Sequence, residues 1–227
     1  MRRIAVLGLG RFGMRLAAEL GAVPGVEVVA ADSNGRLVDE VRDRVSVAVR
    51  MDTTDEEAMQ AQQIGSMDVV VIAIGQSLEA ALLTTLIAKK LGCRQVIARA
   101  QTAVQADILR RVGADEVVQI ESEAGQRWAR MLANPRLEDF IELDPEHSII
   151  QLVAPESFHG KTLVELHLRT RYAVNLVAIK RPARPDAPGG PVKEQAICVP
   201  SPNDVVRPGD VLVLVGRQSA LDALPGR

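Results

Sequence analysis

Apolar residues recur in two rhythms along the chain, and the change of rhythm divides it. In the first half, continuous apolar runs alternate with segments that polar residues interrupt at helical spacing. The runs are IAVLG (4–8), VEVVAA (26–31), VSVAV (45–49), VVVIAI (69–74), QVIAR (95–99) and EVVQI (116–120). Helix-length segments lie between them at 11–21, 35–43, 54–64, 77–91 and 102–112. Valine- and isoleucine-rich runs without polar alternation predict strands buried on both faces. Their alternation with helices predicts an α/β fold, a doubly wound, Rossmann-like parallel sheet. Helix ends are punctuated accordingly. Asp52-Thr53-Thr54-Asp55 offers capping side chains before the third helix, and LIAKKLG closes on two lysines and Gly92.

After the sixth run the rhythm shortens. SEAGQRWARMLANP (122–135) predicts one more helix, stopped by Asn134-Pro135. A boundary there gives a first domain of 1–134, ending in a crossover helix over about 121–134, and a second of 135–227. The second part reads as short strands, SIIQLVAP, AVNLVAIKRP, EQAICVPSP and DVLVLVG among them, around one short helix, TLVELHLRTR (162–171), in which His167 is expected to pack. RPARPDAPGGP (181–191) predicts an exposed loop. This is a small C-terminal α+β domain, of a size that dimerisation would help to stabilise.

Composition narrows the classes. Of 227 residues, 47% are hydrophobic and 25% charged, the profile of a folded globular chain. Net charge is −2 and aromatics make up 2%, so neither a basic surface nor a supply of stacking rings marks a nucleic acid as partner. Cys93 and Cys198 stand far apart, in no metal-ligand spacing, and read as reduced thiols of a cytoplasmic protein. No run approaches the ~20 apolar residues of a membrane span. Any service to a membrane is therefore expected from its cytoplasmic side.

The candidate chemistry begins in the first loop. Gly8-Leu9-Gly10-Arg11-Phe12-Gly13 follows a strand and opens a helix. In this fingerprint the first glycine makes the tight turn, the second admits a phosphate to the backbone, and the third lets helix and strand pack closely. Asp32 ends the second strand, 19 residues beyond Gly13, with Ser33 following. A carboxylate there accepts ribose hydroxyls and repels a 2′-phosphate, which predicts an unphosphorylated adenosine ribose. Ligands of such sheets lie outside the carboxyl ends of the strands. That nominates Asp52 and Thr53 after the third strand, Ala73, Ile74 and Gly75 after the fourth, and Arg99 at the end of the fifth. Asp52 serves equally as a helix cap, and Gly75 as a plain strand end. Arg11 is suited to clamp a terminal phosphate, or to stand as a solvated loop charge. Arg99 is suited to neutralise phosphate or to pair with a carboxylate.

An enzyme reading, a small NAD(H)-dependent oxidoreductase, needs a proton donor beside the nicotinamide. His147, His159 and His167 all fall in the second part, and Tyr172 is the only tyrosine. No Walker lysine follows the glycine loop. A binding module fits better than an enzyme.

VLGLGRFG, AADSN, MDTTDEE, VVVIAIG, LLTTLIAKKLG and GADEVVQIESEAG, followed by LVELHLRTRYAVNLVAIKR and PGDVLVLVG, together resemble the RCK (KTN) proteins of the KtrA/TrkA type, over essentially the whole chain. The resemblance implies an RCK_N domain followed by an RCK_C domain. It implies a cytoplasmic regulator of potassium transport that binds ATP or ADP, with NAD or NADH as the dinucleotide alternative. The partners implied are a KtrB/TrkH-type membrane subunit at the inner face of the membrane and further copies of the chain, as homodimers in an octameric ring. Under it Arg11 contacts terminal phosphates, Asp32 takes the ribose, and Glu121, with Glu123 as its near alternative, helps to hold a divalent cation (Mg or Ca). In RCK_C it implies a site between two subunits that binds cyclic di-AMP in some members, matched here by Arg169, Asn175 and Leu176.

Overall fold

The structure, a computed structural model, describes residues 1–181 and 196–225, with backbone alone at 196–198. The expected 181–191 loop, from residue 182 on, and the Cys198 thiol lie outside the described residues. The chain divides into two compact units, Met1–Ala124 and Gly125–Arg227.

In the first unit the predicted alternation is realised. The elements run β1 (Arg2–Leu7), α1 (Arg11–Gly21), β2 (Val26–Asp32), α2 (Gly35–Val41), β3 (Val47–Arg50), α3 (Glu56–Ala61), β4 (Val69–Ile72), α4 (Leu78–Lys90), β5 (Val96–Arg99), α5 (Ala103–Val112) and β6 (Glu116–Val118). All six strands are parallel, in the order β3-β2-β1-β4-β5-β6. The order reverses between β1 and β4, so a crevice opens at the carboxyl ends of those two strands. Alternate residues of one strand feed two cores, as a pleated strand requires. Ala5 and Leu7 of β1, with Val29 and Ala31 of β2, join Met59, Ile87 and Leu109 on one face. Val6, Val28 and Ala30 join Ala17, Val38 and Val41 on the other.

Side chains close the helix starts. Asn34 caps α2, Asp55 caps α3, Ser77 caps α4 and Thr102 caps α5, each accepting a backbone N–H from the first turn. The cap of α3 is thus the last of the four candidates in Asp52–Asp55. The helix α1 is the exception: Gly10 precedes it with no side-chain bond.

A long helix, α6 (Ile120–Ala133), runs across the division between the units and has no buried residue. The second unit adds β7 (Leu137–Glu142), β8 (His147–Val153), α7 (Leu163–Leu166), α8 (Leu168–Arg171), β9 (Val174–Arg181), β10 (Ala196–Cys198), β11 (Val211–Arg217) and α9 (Gln218–Asp222). Its sheet is antiparallel, ordered β10-β9-β11-β8-β7. One face is covered by a core of Ile150, Leu152, Phe158, Leu166, Leu212 and Leu221.

The single helix expected over 162–171 is instead two four-residue helices. They break at His167, whose φ of 47° is left-handed. In one continuous helix Leu166 and Leu168 would point about 200° apart. The break turns both inward, to 3% and 7% exposure. His167 itself is exposed, not packed.

Candidate nucleotide site

The glycine loop lies at the crevice, and each glycine answers a different constraint. Gly8 adopts a φ of 96°, and a Cβ there would stand 3.0 Å from the Ile74 backbone nitrogen. Gly13 is buried, and a Cβ on it would collide with the Gly8 carbonyl oxygen and lie 3.0 Å from the Ala73 Cβ. The loop is therefore folded on itself and wedged against the end of β4. Gly10 differs, since a Cβ there would meet nothing within 4 Å. The open side of the loop is the side on which backbone and solvent meet.

At Gly10 the helix α1 begins. Its first intrahelical bond joins the Met14 N–H to the Gly10 carbonyl at 2.9 Å. The first-turn N–H groups of Arg11, Phe12 and Gly13 precede that bond and have no i−4 partner. Together with the helix dipole they favour an anion. Arg11 is exposed and makes no ion pair or side-chain hydrogen bond among the described residues. Phe12 is half-buried, packed against both apolar layers under the loop.

Asp32 ties the end of β2 to this loop. Its Oδ2 accepts the Leu9 N–H at 2.6 Å, and its Oδ1 accepts the Asn34 N–H at 2.8 Å. A carboxylate has about four lone-pair positions, so both oxygens retain capacity for ribose hydroxyls. Ser33 is exposed, and its carbonyl accepts from Arg50 Nε at 3.1 Å. Arg50 is a neighbour that the motif reading missed. The only signal for it is its place at the end of β3, opposite Asp32 in register.

Asp52 and Thr53 sit differently from each other. The Asp52 carboxylate accepts both the hydroxyl and the N–H of Thr54, at 2.7 and 2.9 Å, which hold it below the usual carboxylate range. Thr53 is buried, with its hydroxyl 2.9 Å from that of Thr84. Its hydroxyl and its carbonyl both meet the Thr84 hydroxyl of α4, so its side chain braces that helix. The Thr84 partner was not legible from the motifs.

Beyond β4, Ala73 donates its N–H to the Leu7 carbonyl and Ile74 packs under Gly8, so both shape the floor. Gly75 makes room for Arg99, because a Cβ there would overlap the guanidinium. The Gly75 carbonyl accepts from Gln101 Nε2 at 2.6 Å. Arg99 is largely buried, at 16% exposure, and pairs with Glu121 in the first turn of α6. A bond to its own backbone N–H, then the pairing with Arg99, holds the Glu121 carboxyl below its ordinary range. The Arg99 Nε is buried with no hydrogen-bond partner. Glu123 turns elsewhere and accepts the Gln119 N–H at 3.1 Å. Among the described residues no group of three His, Cys, Asp or Glu converges to hold a metal.

In the second unit, Arg169, Asn175 and Leu176 come together. They line a hollow of about 370 Å³ with His167, Val174 and Pro202. The break at His167 places α8 beside the start of β9, which brings Arg169 to the rim.

The two units correspond to two known domains. The TrkA-N domain matches residues 4–120 and the TrkA-C domain matches residues 148–224. The chain belongs to the KtrA/TrkA family. It is 34% identical over 95% of its length to Ktr system potassium uptake protein C of Bacillus subtilis, covering 92% of that protein. It is 33% identical over 97% of its length to Ktr system potassium uptake protein A of Vibrio alginolyticus, covering 94% of it. Among solved structures it resembles the GsuK channel in fold, with a TM-score of 0.67 at 19% identity, over 98% of this chain and 38% of that one. In the first unit, then, contacts join Asp32 to the glycine loop through Leu9, the loop to the end of β4 through Ile74, and Gly75 to Arg99 and Glu121. In the TrkA-C domain, the three expected residues line one hollow. No helix among the described residues is long and apolar enough to cross a membrane.

Proposed function

We propose that this chain is an adenine-nucleotide-binding regulatory subunit of a potassium uptake system. It acts from the cytoplasmic side on a KtrB/TrkH-type membrane subunit, as a homodimer that assembles into a ring. The observation that carries the proposal is Arg11, an exposed guanidinium on the first residue of α1 with no ion pair among the described residues, next to Gly10, whose Cβ position is open. An exposed guanidinium at that position suits a terminal phosphate. The relatives named as potassium uptake proteins supply the physiological setting and support a regulatory rather than a catalytic role.

In this reading the loop N–H groups hold the inner phosphates and Asp32 holds the ribose. Arg11 then distinguishes ATP from ADP, and NAD(H) would occupy the same loop and ribose positions. A divalent cation, Mg²⁺ or Ca²⁺, would be held by Glu121 and the phosphates. The exposed carboxylate suits this, with Arg99 released from it to face phosphate charge. A nucleotide that binds two arrangements of the ring unequally shifts their populations by that difference. The TrkA-C hollow would take cyclic di-AMP, with Arg169 on a phosphate, Leu176 against adenine and Asn175 on a polar edge. The two domains are read as 1–134 and 135–227.

The test is calorimetric titration of wild type and Arg11→Ala with ATP and ADP. The variant is expected to lose about tenfold or more in ATP affinity and at most threefold for ADP, in line with removal of one charge-assisted contact. Equal losses for both nucleotides would refute the role given to Arg11.

A further inference from the structure

The turn between β2 and α2 carries more positive charge than an unphosphorylated ribose requires. Asp32 and Arg50 are register partners on adjacent parallel strands, so both side chains leave the sheet on the same face. Arg50 does not trail into solvent. Its Nε donates to the Ser33 carbonyl at 3.1 Å, and its Cδ lies 3.4 Å from the position a Cβ on Gly35 would take. This lays the guanidinium across the turn that follows Asp32, leaving its terminal nitrogens without a hydrogen bond among the described residues. Arg36, exposed in the first turn of α2, adds a second guanidinium with no carboxylate partner among those residues. Ser33, whose carbonyl Arg50 holds, is itself exposed, three residues before Arg36.

The opposing charge is already engaged. Both oxygens of Asp32 accept a backbone N–H, from Leu9 at 2.6 Å and from Asn34 at 2.8 Å. Such charge-assisted bonds draw the negative charge toward the protein backbone. The expectation that Asp32 repels a ribose phosphate counted this carboxylate alone. The folded turn sets this carboxylate on the same sheet face as Arg50, beside the exposed Ser33, with the exposed Arg36 following in the first turn of α2. Arginine presents paired donors in the planar geometry that phosphate oxygens accept, and an arginine near the ribose is how this fold accommodates a 2′-phosphate.

We infer that Arg50, with Arg36 and Ser33, forms a phosphate subsite beside the adenosine ribose, so that the chain accepts 2′-phosphorylated dinucleotides of the NADP(H) class as well as unphosphorylated ones. The inference rests on the nucleotide reading of the glycine loop given above.

The experiment is calorimetric titration of the purified full chain with NADH, NADPH and ATP, for wild type, Arg50→Ala and Arg50→Lys. In wild type, NADPH binds within about tenfold of NADH. Arg50→Ala weakens NADPH at least about tenfold more than it weakens NADH, and Arg50→Lys restores part of that difference by returning the charge without the fork. NADPH binding more than about tenfold weaker than NADH would overturn the inference alone. So would an Arg50→Ala variant that loses both dinucleotides equally, since Arg50 would then merely brace the turn. Failure of NADH and ATP alike to bind would take down the nucleotide reading together with this subsite.

Discussion

Replacing Gly13 and Gly10 in turn with alanine separates folding from binding within six residues. A Cβ at Gly13 points into the Gly8 carbonyl oxygen, closer than real side-chain carbons come to any atom, with the Ala73 Cβ a further 3.0 Å away. Neither neighbour is a flexible side-chain end. The helix α1 would have to lift from the sheet by roughly an ångström, loosening the packing that keeps Ala17 buried. Overpacking of this kind costs about 1–3 kcal/mol, and a backbone collision belongs at the upper end. Taking about 3 kcal/mol, the melting transition of the TrkA-N domain should fall by about 12 °C. Gly10 has a φ of −63°, which any residue adopts, and nothing within 4 Å of its Cβ position. Gly10→Ala should therefore change stability by less than about 1 kcal/mol. The new methyl stands on the face where phosphate would approach the backbone, so nucleotide affinity should fall at least about tenfold. Urea and thermal denaturation give the stabilities, and calorimetric titration with ATP gives the affinities. A Gly13→Ala protein as stable as wild type, or a Gly10→Ala protein destabilised as much as Gly13→Ala, would refute the geometry.

Three further outcomes follow from individual contacts. The Thr53 and Thr84 hydroxyls are buried against each other at 2.9 Å, so Thr84→Val leaves Thr53 unsatisfied and should cost about 1–3 kcal/mol in urea denaturation, while adding Thr53→Val should recover part of that loss. Asp115 is held below the usual carboxylate range by the Val96 N–H at 2.7 Å and by Lys89. Because its folded pKa is depressed, its stabilising contribution is present above the unfolded pKa and lost as pH falls through the folded one, so wild type and Asp115→Asn should differ near neutral pH and converge in acid when their denaturation is compared across pH. Arg169→Ala should abolish binding of cyclic di-AMP to the full chain with less than about a twofold change in ATP affinity, both read by calorimetry, because Arg169 lines a hollow of the TrkA-C domain.

Local signals in the sequence determined a good deal of this protein. The doubly wound sheet was legible because burial on both faces leaves no polar alternation in strands such as VVVIAI, and the glycine loop with Asp32 was legible because its constraints fall on neighbouring residues. The change of strand rhythm suggested a division at 134, whereas the compact units meet within α6, after Ala124. What the sequence could not settle are relations between residues that meet only when strands are laid side by side. Arg99 and Glu121 were each conspicuous, but their pairing depends on α6 starting directly beyond β6, which itself pairs with β5. Arg50 reaches the turn after Asp32 only because β3 lies next to β2 in register, and Thr53 faces inward because α4 brings Thr84 over it. The break at His167 escaped a periodicity argument for a related reason. Two leucines two positions apart both had to be buried, and the demand of the core outweighed the local preference for an unbroken helix. Periodicity reports which face of an element is covered, whereas charge compensation around a ligand site is a sum over elements that only the folded chain assembles.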